Sequence, residues 1–334
     1  MNVVSTPISI GSMTVANRLV MPPMATGRSE ENGAVTPQLC DYCHEKSLDG
    51  SLGLIITEHS YVSPEGKAGK GQVSGAEDRC IEGLRHLAAT IHHNQTKVIA
   101  QINHAGGAAN PAVTGYPAMG PSAIALPRKK GDAPLPTAMT GENIEAIIQA
   151  FAAAAGRVKQ AGFDGVEIHS AHGYLLNQFY SPLTNRRTDR YTGSTLEGRI
   201  QLHLDIIRAV RDVVGSDYPL ALRLGACDYM EGGSTIEDSV QACQAFERAG
   251  VDLLDISGGL YGYTHPTCKQ QGYFSEITEK IKQQVSIPVL LTGGITTADA
   301  ANTLLVEQKA DLIGVGRAIL QNSHWAKEAL QVLS

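Results

Sequence analysis

Eight short apolar runs, each followed by a stretch of helical periodicity, constrain this chain more than any other feature. The runs are 18–24, 53–59, 97–104, 165–169, 220–226, 253–257, 289–293 and 312–317. They are rich in Val, Ile and Leu and lack strict polar alternation, the pattern of parallel strands covered on both faces. Helical patterns lie near 36–49, 77–94, 143–161, 195–214, 236–249, 275–285, 297–307 and 324–333. Eight strand–helix units within 334 residues predict an α/β fold, a closed (β/α)8 TIM barrel, rather than an open doubly wound sheet. No linker divides the chain, so residues 1–334 are expected to form a single domain. The Gly/Pro-rich region 105–140 is too long for a plain connection and reads as a loop excursion over the barrel top.

Bulk properties narrow the function. Hydrophobic residues make up 43% and charged residues 18%, with 27 basic against 33 acidic side chains and a formal charge of -6. No basic run suggests nucleic acid, and no apolar stretch approaches the roughly 20 residues that span a bilayer. The segment 1–10 has neither a cationic start nor an apolar core, so no secretory signal is read there and a cytoplasmic protein is expected. Of the six cysteines, only Cys40 and Cys43 have ligand-like spacing. They fall in a helical pattern with no partner pair, and they read as ordinary thiols rather than metal ligands.

A barrel places its site at the carboxyl ends of the strands, where the βα loops gather. Those ends carry Pro23-Met24-Ala25, Glu58-His59, Gln101 with His104, His169 with His172, Arg223, Ser257-Gly258-Gly259, Gly293-Gly294 and Gly316-Arg317. Polar groups and glycines collect there for no reason that packing supplies. The densest cluster follows the fourth run, where His169, His172 and Tyr174 leave the strand within six residues. Imidazoles can hold an oxygen that gains negative charge, and a phenol can give up a proton. His-x-x-His could also hold a metal, but no third ligand is evident nearby. The charged run 185–191 just beyond reads as loop scaffolding.

Other ends have chemistry of their own. Gly293-Gly294 and Gly316-Arg317 follow the last two runs, where barrels often bind phosphate on close backbone N–H groups. Arg223 is a cation in an otherwise apolar strand, which is costly unless it is paired or faces an anion. It reads either as a salt bridge to a neighbouring carboxylate or as a charge beside a bound ring. Gln101 reads either as a structural amide or as a partner for a pyrimidine-like edge. No Gly-x-Gly-x-x-Gly run opens a βαβ unit, so a Rossmann-held dinucleotide is not expected.

These residues resemble the old yellow enzyme family of FMN-dependent ene-reductases along nearly the whole chain. The resemblance rests on Asn17-Arg-Leu-Val-Met-Pro-Pro23-Met24, Gly53-Leu-Ile-Ile-Thr-Glu58, Gln101-Ile-Asn-His104-Ala-Gly106, the His169–Pro182 run with Asn185-Arg186-Arg187-Thr188-Asp189, Arg223, and Gly316-Arg317. It implies a (β/α)8 barrel with tightly bound, non-covalent FMN, reduced by NADH or NADPH and reoxidised by an activated alkene of enone or enoate type. By that similarity His169 and His172 bind the substrate carbonyl oxygen, flavin N5 delivers hydride, and Tyr174 protonates the other carbon. Pro23, Met24, Ala25, His59, Gln101 and His169 would line the isoalloxazine, with Arg223 at its N1/O2 edge. Gly293, Gly294, Gly316 and Arg317 would take the phosphate.

Departures from the family pattern bear on substrate choice. Ala25 stands where relatives commonly place Thr or Cys against the flavin. Gly27 stands where one branch has a tyrosine reaching the substrate, and is expected to widen the substrate pocket. His59 replaces a usual small residue and Thr192 a usual glycine. The chain ends at Ser334 without the iron–sulfur and nucleotide domains of longer relatives, so electrons are expected directly from a nicotinamide or an outside donor. Some relatives complete the site with a neighbour's carboxyl-terminal arginine, and no arginine follows Arg317 here. A homo-oligomer is left open on that account. The alternative activity is a flavin-dependent dehydrogenase that oxidises an amine or other donor on the same barrel.

Overall fold

The computed structural model describes residues 2–127 and 135–333. Its strands β1 (Leu19–Met21), β2 (Leu54–Ile56), β3 (Lys97–Asn103), β4 (Gly165–Ser170), β5 (Leu220–Gly225), β6 (Leu253–Ser257), β7 (Val289–Thr292) and β8 (Leu312–Gly314) all pair in parallel. The barrel closes where Ile313 of β8 pairs with Leu19 of β1. Helices α1 (Pro37–Ser47), α2 (Ile81–His93), α3 (Gly141–Gln160), α4 (Leu196–Val214), α5 (Ile236–Arg248), α6 (Ser275–Lys282), α7 (Ala298–Val306) and α8 (Trp325–Val332) form the outer ring. Each expected unit is therefore present.

Local chemistry sets the boundaries. Thr36, Thr140, Thr195, Thr235 and Thr297 cap α1, α3, α4, α5 and α7, each hydroxyl accepting from a first-turn N–H. Such a cap is worth about 1 kcal/mol. The strands are shorter than the apolar runs. β1 stops at Met21 because Pro22 and Pro23 have no N–H to give the ladder. β2 stops at Ile56, and Glu58 beyond it turns to accept from the N–H and hydroxyl of Thr26.

The barrel interior has an apolar floor. Val20, Leu54, Ile99, Ala221, Leu253, Leu290 and Leu312 pack there in one buried cluster. An antiparallel hairpin, Ile8–Ile10 with Met13–Val15, seals it from below through Ile10, Met13 and Val15. The hairpin turns at Gly11, whose φ of 55° lies in the left-handed region. Nothing was expected of this segment, although Ile8, Ile10, Met13 and Val15 alternate around a Gly-Ser turn as hairpin strands do.

Two residues further along the same strands the interior turns polar. Gln101, Arg223, Asp255 and Thr292 follow Ile99, Ala221, Leu253 and Leu290, because side chains two apart share a face. The excursion holds a 3-10 turn (Gly106–Ala108), a short helix (Pro111–Thr114) and a parallel pair, Met119–Gly120 with Thr137–Ala138. Residues 128–134 of the expected excursion lie outside the described residues. Among the described residues no helix is long and apolar enough to cross a membrane.

Candidate active site

A cavity of about 570 Å³ opens at the carboxyl ends of the strands, within the range of small-molecule and cofactor sites. Pro23, Met24 and Ala25 beyond β1 form one wall, and His59 beyond β2 stands beside them. Gln101 and Arg223 face it from β3 and β5, while His169, His172 and Tyr174 enter from β4 and its loop. Gly294, Gly316 and Arg317 close the far end. Two expected site residues, Gly27 and Gly293, are not among those that line this cavity. Gly27 makes a left-handed turn against the 70–71 segment, where a Cβ on Gly71 would stand 2.3 Å from the Gly27 carbonyl oxygen. Gly293 lies beneath Tyr273, and its carbonyl accepts from the Gly272 N–H at 2.6 Å.

The His/Tyr cluster is compact. The His169 ring centroid lies 5.1 Å from that of His172 and 5.4 Å from that of Tyr174. The chain makes this turn in two left-handed steps, His172 with φ 60° and Gly173 with φ 76°. A non-glycine residue there is strained, and the surroundings must hold it. Asn177 Oδ1 accepts from Gly173 N–H at 2.8 Å, and Gln178 Nε2 donates to Gly173 O at 2.7 Å. Gln178 reaches the excursion too, accepting from Gly107 N–H at 2.9 Å. Asn185 ties Phe179 O to Tyr191 O, so the start of the charged run does serve as scaffolding.

Burial and neighbouring charge set the protonation. Desolvation, then His172 and Arg223, hold His169 well below the usual histidine range, and burial with Arg223 does the same to His172. Both rings are therefore neutral near pH 7, each with one N–H to give. Burial raises the Tyr174 phenol, which keeps its proton. His172 Nε2 lies 2.8 Å from Ser257 Oγ, so it reaches an oxygen on the cavity side.

Beneath this cluster lies a buried ionic layer that sequence reasoning saw only in part. Arg223 Nε stands 3.1 Å from Asp255 Oδ2, so the salt-bridge reading of Arg223 holds, and it faces the cavity as well. Gln101 Nε2 donates to Glu167 Oε1 at 2.7 Å, which leaves the Gln101 carbonyl and one amide hydrogen for other partners. Burial and the nearby Asp255 push Glu167 well above the carboxylate range, against the pull of Arg223. Burial also lifts Asp255 to about 6. Glu167 was readable, since it stands two before His169 and a strand puts both on one face. Asp255 stands likewise two before Ser257. Gln72, which lies 2.6 Å from His59 Nδ1, sits in a loop that carries no such signal.

The sequence profile of the NADH:flavin oxidoreductase / NADH oxidase family matches residues 4–333. An NADH oxidase of Thermoanaerobacter brockii is 39% identical over 96% of this chain and 49% of its own length. An NADPH dehydrogenase of Halalkalibacterium halodurans is 38% identical over 96% of this chain and 91% of its own. Among solved structures, 2-naphthoyl-CoA reductase in complex with 2-naphthoyl-CoA superposes with a TM-score of 0.93 at 28% identity, covering 99% of this chain and 52% of its own. An old yellow enzyme homologue from Zymomonas mobilis superposes with a TM-score of 0.86 at 26% identity, covering 98% and 92%. The chain thus spans about half the length of the NADH oxidase and of the naphthoyl-CoA reductase. With its barrel, its cavity and a match over nearly every residue, the chain belongs to the NADH:flavin oxidoreductase / NADH oxidase family, the FMN-dependent old yellow enzyme group that works with NADH or NADPH.

Proposed function

We propose that this chain reduces the activated C=C bond of α,β-unsaturated carbonyl compounds. The observation that carries the reading is the pair of neutral imidazoles 5.1 Å apart with a protonated phenol beside them, on one wall of the cavity. Fit to FMN is supported by polar atoms left without protein partners at the cavity, His169 Nδ1 and Thr292 Oγ1. Such buried atoms are costly unless a ligand satisfies them. It is also supported by Gly316, where a Cβ would come within 3.3 Å of Met24 Sδ and narrow the cleft. Gln101 and Arg223 would hold the flavin's polar edge, Pro23 and Met24 its apolar face, and Gly294, Gly316 and Arg317 its phosphate. When bound, FMN supplies the hydride that it takes from NADH or NADPH.

The chain's own residues then have defined tasks. His169 and His172 donate N–H groups to the carbonyl oxygen and stabilise the negative charge that grows there. Being neutral, each ring has one N–H donor and one acceptor nitrogen, so its tautomer decides which nitrogen can face the oxygen. Arg223 keeps a positive charge at the cavity, and its pairing with Asp255 fixes its position. Tyr174 holds a proton at its phenol oxygen and delivers it to the carbon next to the carbonyl.

Transient kinetics on the FMN-loaded protein tests this. Tyr174→Phe should slow reoxidation by cyclohex-2-enone on the order of 100-fold while flavin reduction by NADPH changes little. Equal losses in both half-reactions would remove Tyr174 from the donor role. Replacing His169 and His172 together by Ala should weaken enone binding to the oxidised enzyme. Flavin bleaching by an amine donor, with no reoxidation by any enone, would replace this reading with the dehydrogenase alternative.

A further inference from the structure

His59 is a ring on the cavity wall whose proton the structure places. Gln72 is buried, and its two amide atoms have separate partners. Its Oε1 accepts from the Ala68 N–H at 2.7 Å, while Nε2 lies 2.6 Å from His59 Nδ1 and 3.0 Å from the His59 carbonyl oxygen. Flipping the amide would set oxygen against that carbonyl and nitrogen against the Ala68 N–H, so the orientation is fixed. An amide nitrogen only donates. His59 Nδ1 must therefore accept, and the ring's proton resides on Nε2, away from Gln72. Burial and the Arg223 cation lower the ring to about 4, so it stays neutral at physiological pH.

Position gives this donor a purpose. The His59 ring lies 6.1 Å from His169, nearly parallel to it, and 5.4 Å from Tyr174. His172 reaches His169 from another side, beside Ser257 at the end of β6. β2 and β6 stand four strands apart in the barrel of eight, on opposite walls. The cavity thus offers N–H groups from two directions around the phenol.

We propose that His59 is a specificity-determining hydrogen-bond donor whose Nε2–H reads a second oxygen, so that the site takes alkenes flanked by two oxygen acceptors, such as cyclic ene-diones. This rests on the C=C-reducing role of the same site. The first oxygen belongs to His169 and His172, and the second to His59. A pocket with a fixed donor favours the ligand that pairs it over the analogue that leaves it empty. Gln72 is a positioning residue, since it acts only through the tautomer of His59.

The matched probes are cyclohex-2-ene-1,4-dione and cyclohex-2-enone, which share a ring and differ by one carbonyl. Their dissociation constants are measured on the oxidised FMN-loaded protein from changes in flavin absorbance. His59→Phe, which keeps an aromatic ring without a donor, should lower the dione-to-enone affinity ratio about tenfold, the worth of one neutral hydrogen bond. His59→Asn, which restores an N–H, should recover part of that ratio, and Gln72→Leu should give an intermediate loss. Nitrogen-15 spectra of histidine-labelled protein should show an unprotonated Nδ1 on His59. A ratio within twofold of the parent in His59→Phe, or a protonated Nδ1, overturns the proposal. If the parent protein reduces neither compound, the C=C reading fails, while the affinity ratios still decide what His59 does.

Discussion

The floor and the ceiling of the barrel interior lie two residues apart on the same strands and are made of opposite chemistry. Ile99, Ala221, Leu253 and Leu290 fill the floor, each fully buried among apolar neighbours and sealed by the hairpin. One step up, Gln101, Arg223, Asp255 and Thr292 form a polar layer in which Arg223 and Asp255 pair with each other at 3.1 Å while Thr292 Oγ1 has no hydrogen bond. Glu167 and His169 extend that layer along β4. The floor is satisfied by the chain itself. The ceiling is not, and unsatisfied buried groups are tolerated where something else is meant to bind.

The contrast is broken most forcefully at Arg223. Arg223→Met removes the cation that faces Asp255 and lies near Glu167, and stranding a buried charge costs about 3–5 kcal/mol. The sign with pH follows from the carboxyls. Asp255 already sits at about 6, above its ordinary value, and losing Arg223 raises it further. A carboxyl whose folded value is raised keeps its stability at low pH and loses it as pH rises past its unfolded value, about 3.9. The deficit of the variant should therefore widen from pH 5 to pH 8 in urea melts, together with loss of bound flavin. A pH-independent deficit would show that the Asp255 pairing does not set the cost.

The complementary change is Leu253→Ala in the floor, one step below Asp255. It should cost about 2–5 kcal/mol through lost burial and a residual cavity. Flavin affinity at a temperature where the variant is folded should stay close to the parent's. If affinity falls as far as in Arg223→Met, the floor and the ceiling are not separable.

The same division explains what could be read from the sequence. The eight strands were legible because strands covered on both faces have an unmistakable apolar signature. Most of the wall was legible because a barrel puts its strand ends together, which places His59, Gln101, His169, Arg223 and Arg317 around one cavity without any knowledge of distances. Contacts between loops were not. Glu58 holding Thr26, and Gln72 holding His59, depend on where two irregular segments meet once the barrel has closed, and no local period encodes that. Gly27 shows the same limit. Its place in the sequence suggested the substrate pocket, yet its backbone packs against Gly71. The hairpin plug was missed for a different reason, since three-residue strands are too short to stand out from a turn.

Ala25 is the exception within the ceiling and gives the finest test of it. It lines the cavity with a methyl group where the surrounding layer is polar, and where family resemblance leads one to expect a hydroxyl or thiol. The adjacent hydroxyl offers no substitute, because Thr26 Oγ1 donates to Glu58 Oε1 at 2.7 Å. A donor at position 25 would favour the more electron-rich, reduced form of a bound flavin over the oxidised form, as any hydrogen bond favours the more charged of two states. Ala25→Thr should therefore raise the midpoint potential of the FMN-loaded protein, measured by spectroelectrochemical titration, with little change in its melting temperature. The side chain points into open cavity, so packing should not confound the reading. An unchanged or lowered potential would mean that the flavin edge lies out of reach of position 25, and that the methyl group there is no electronic concession at all.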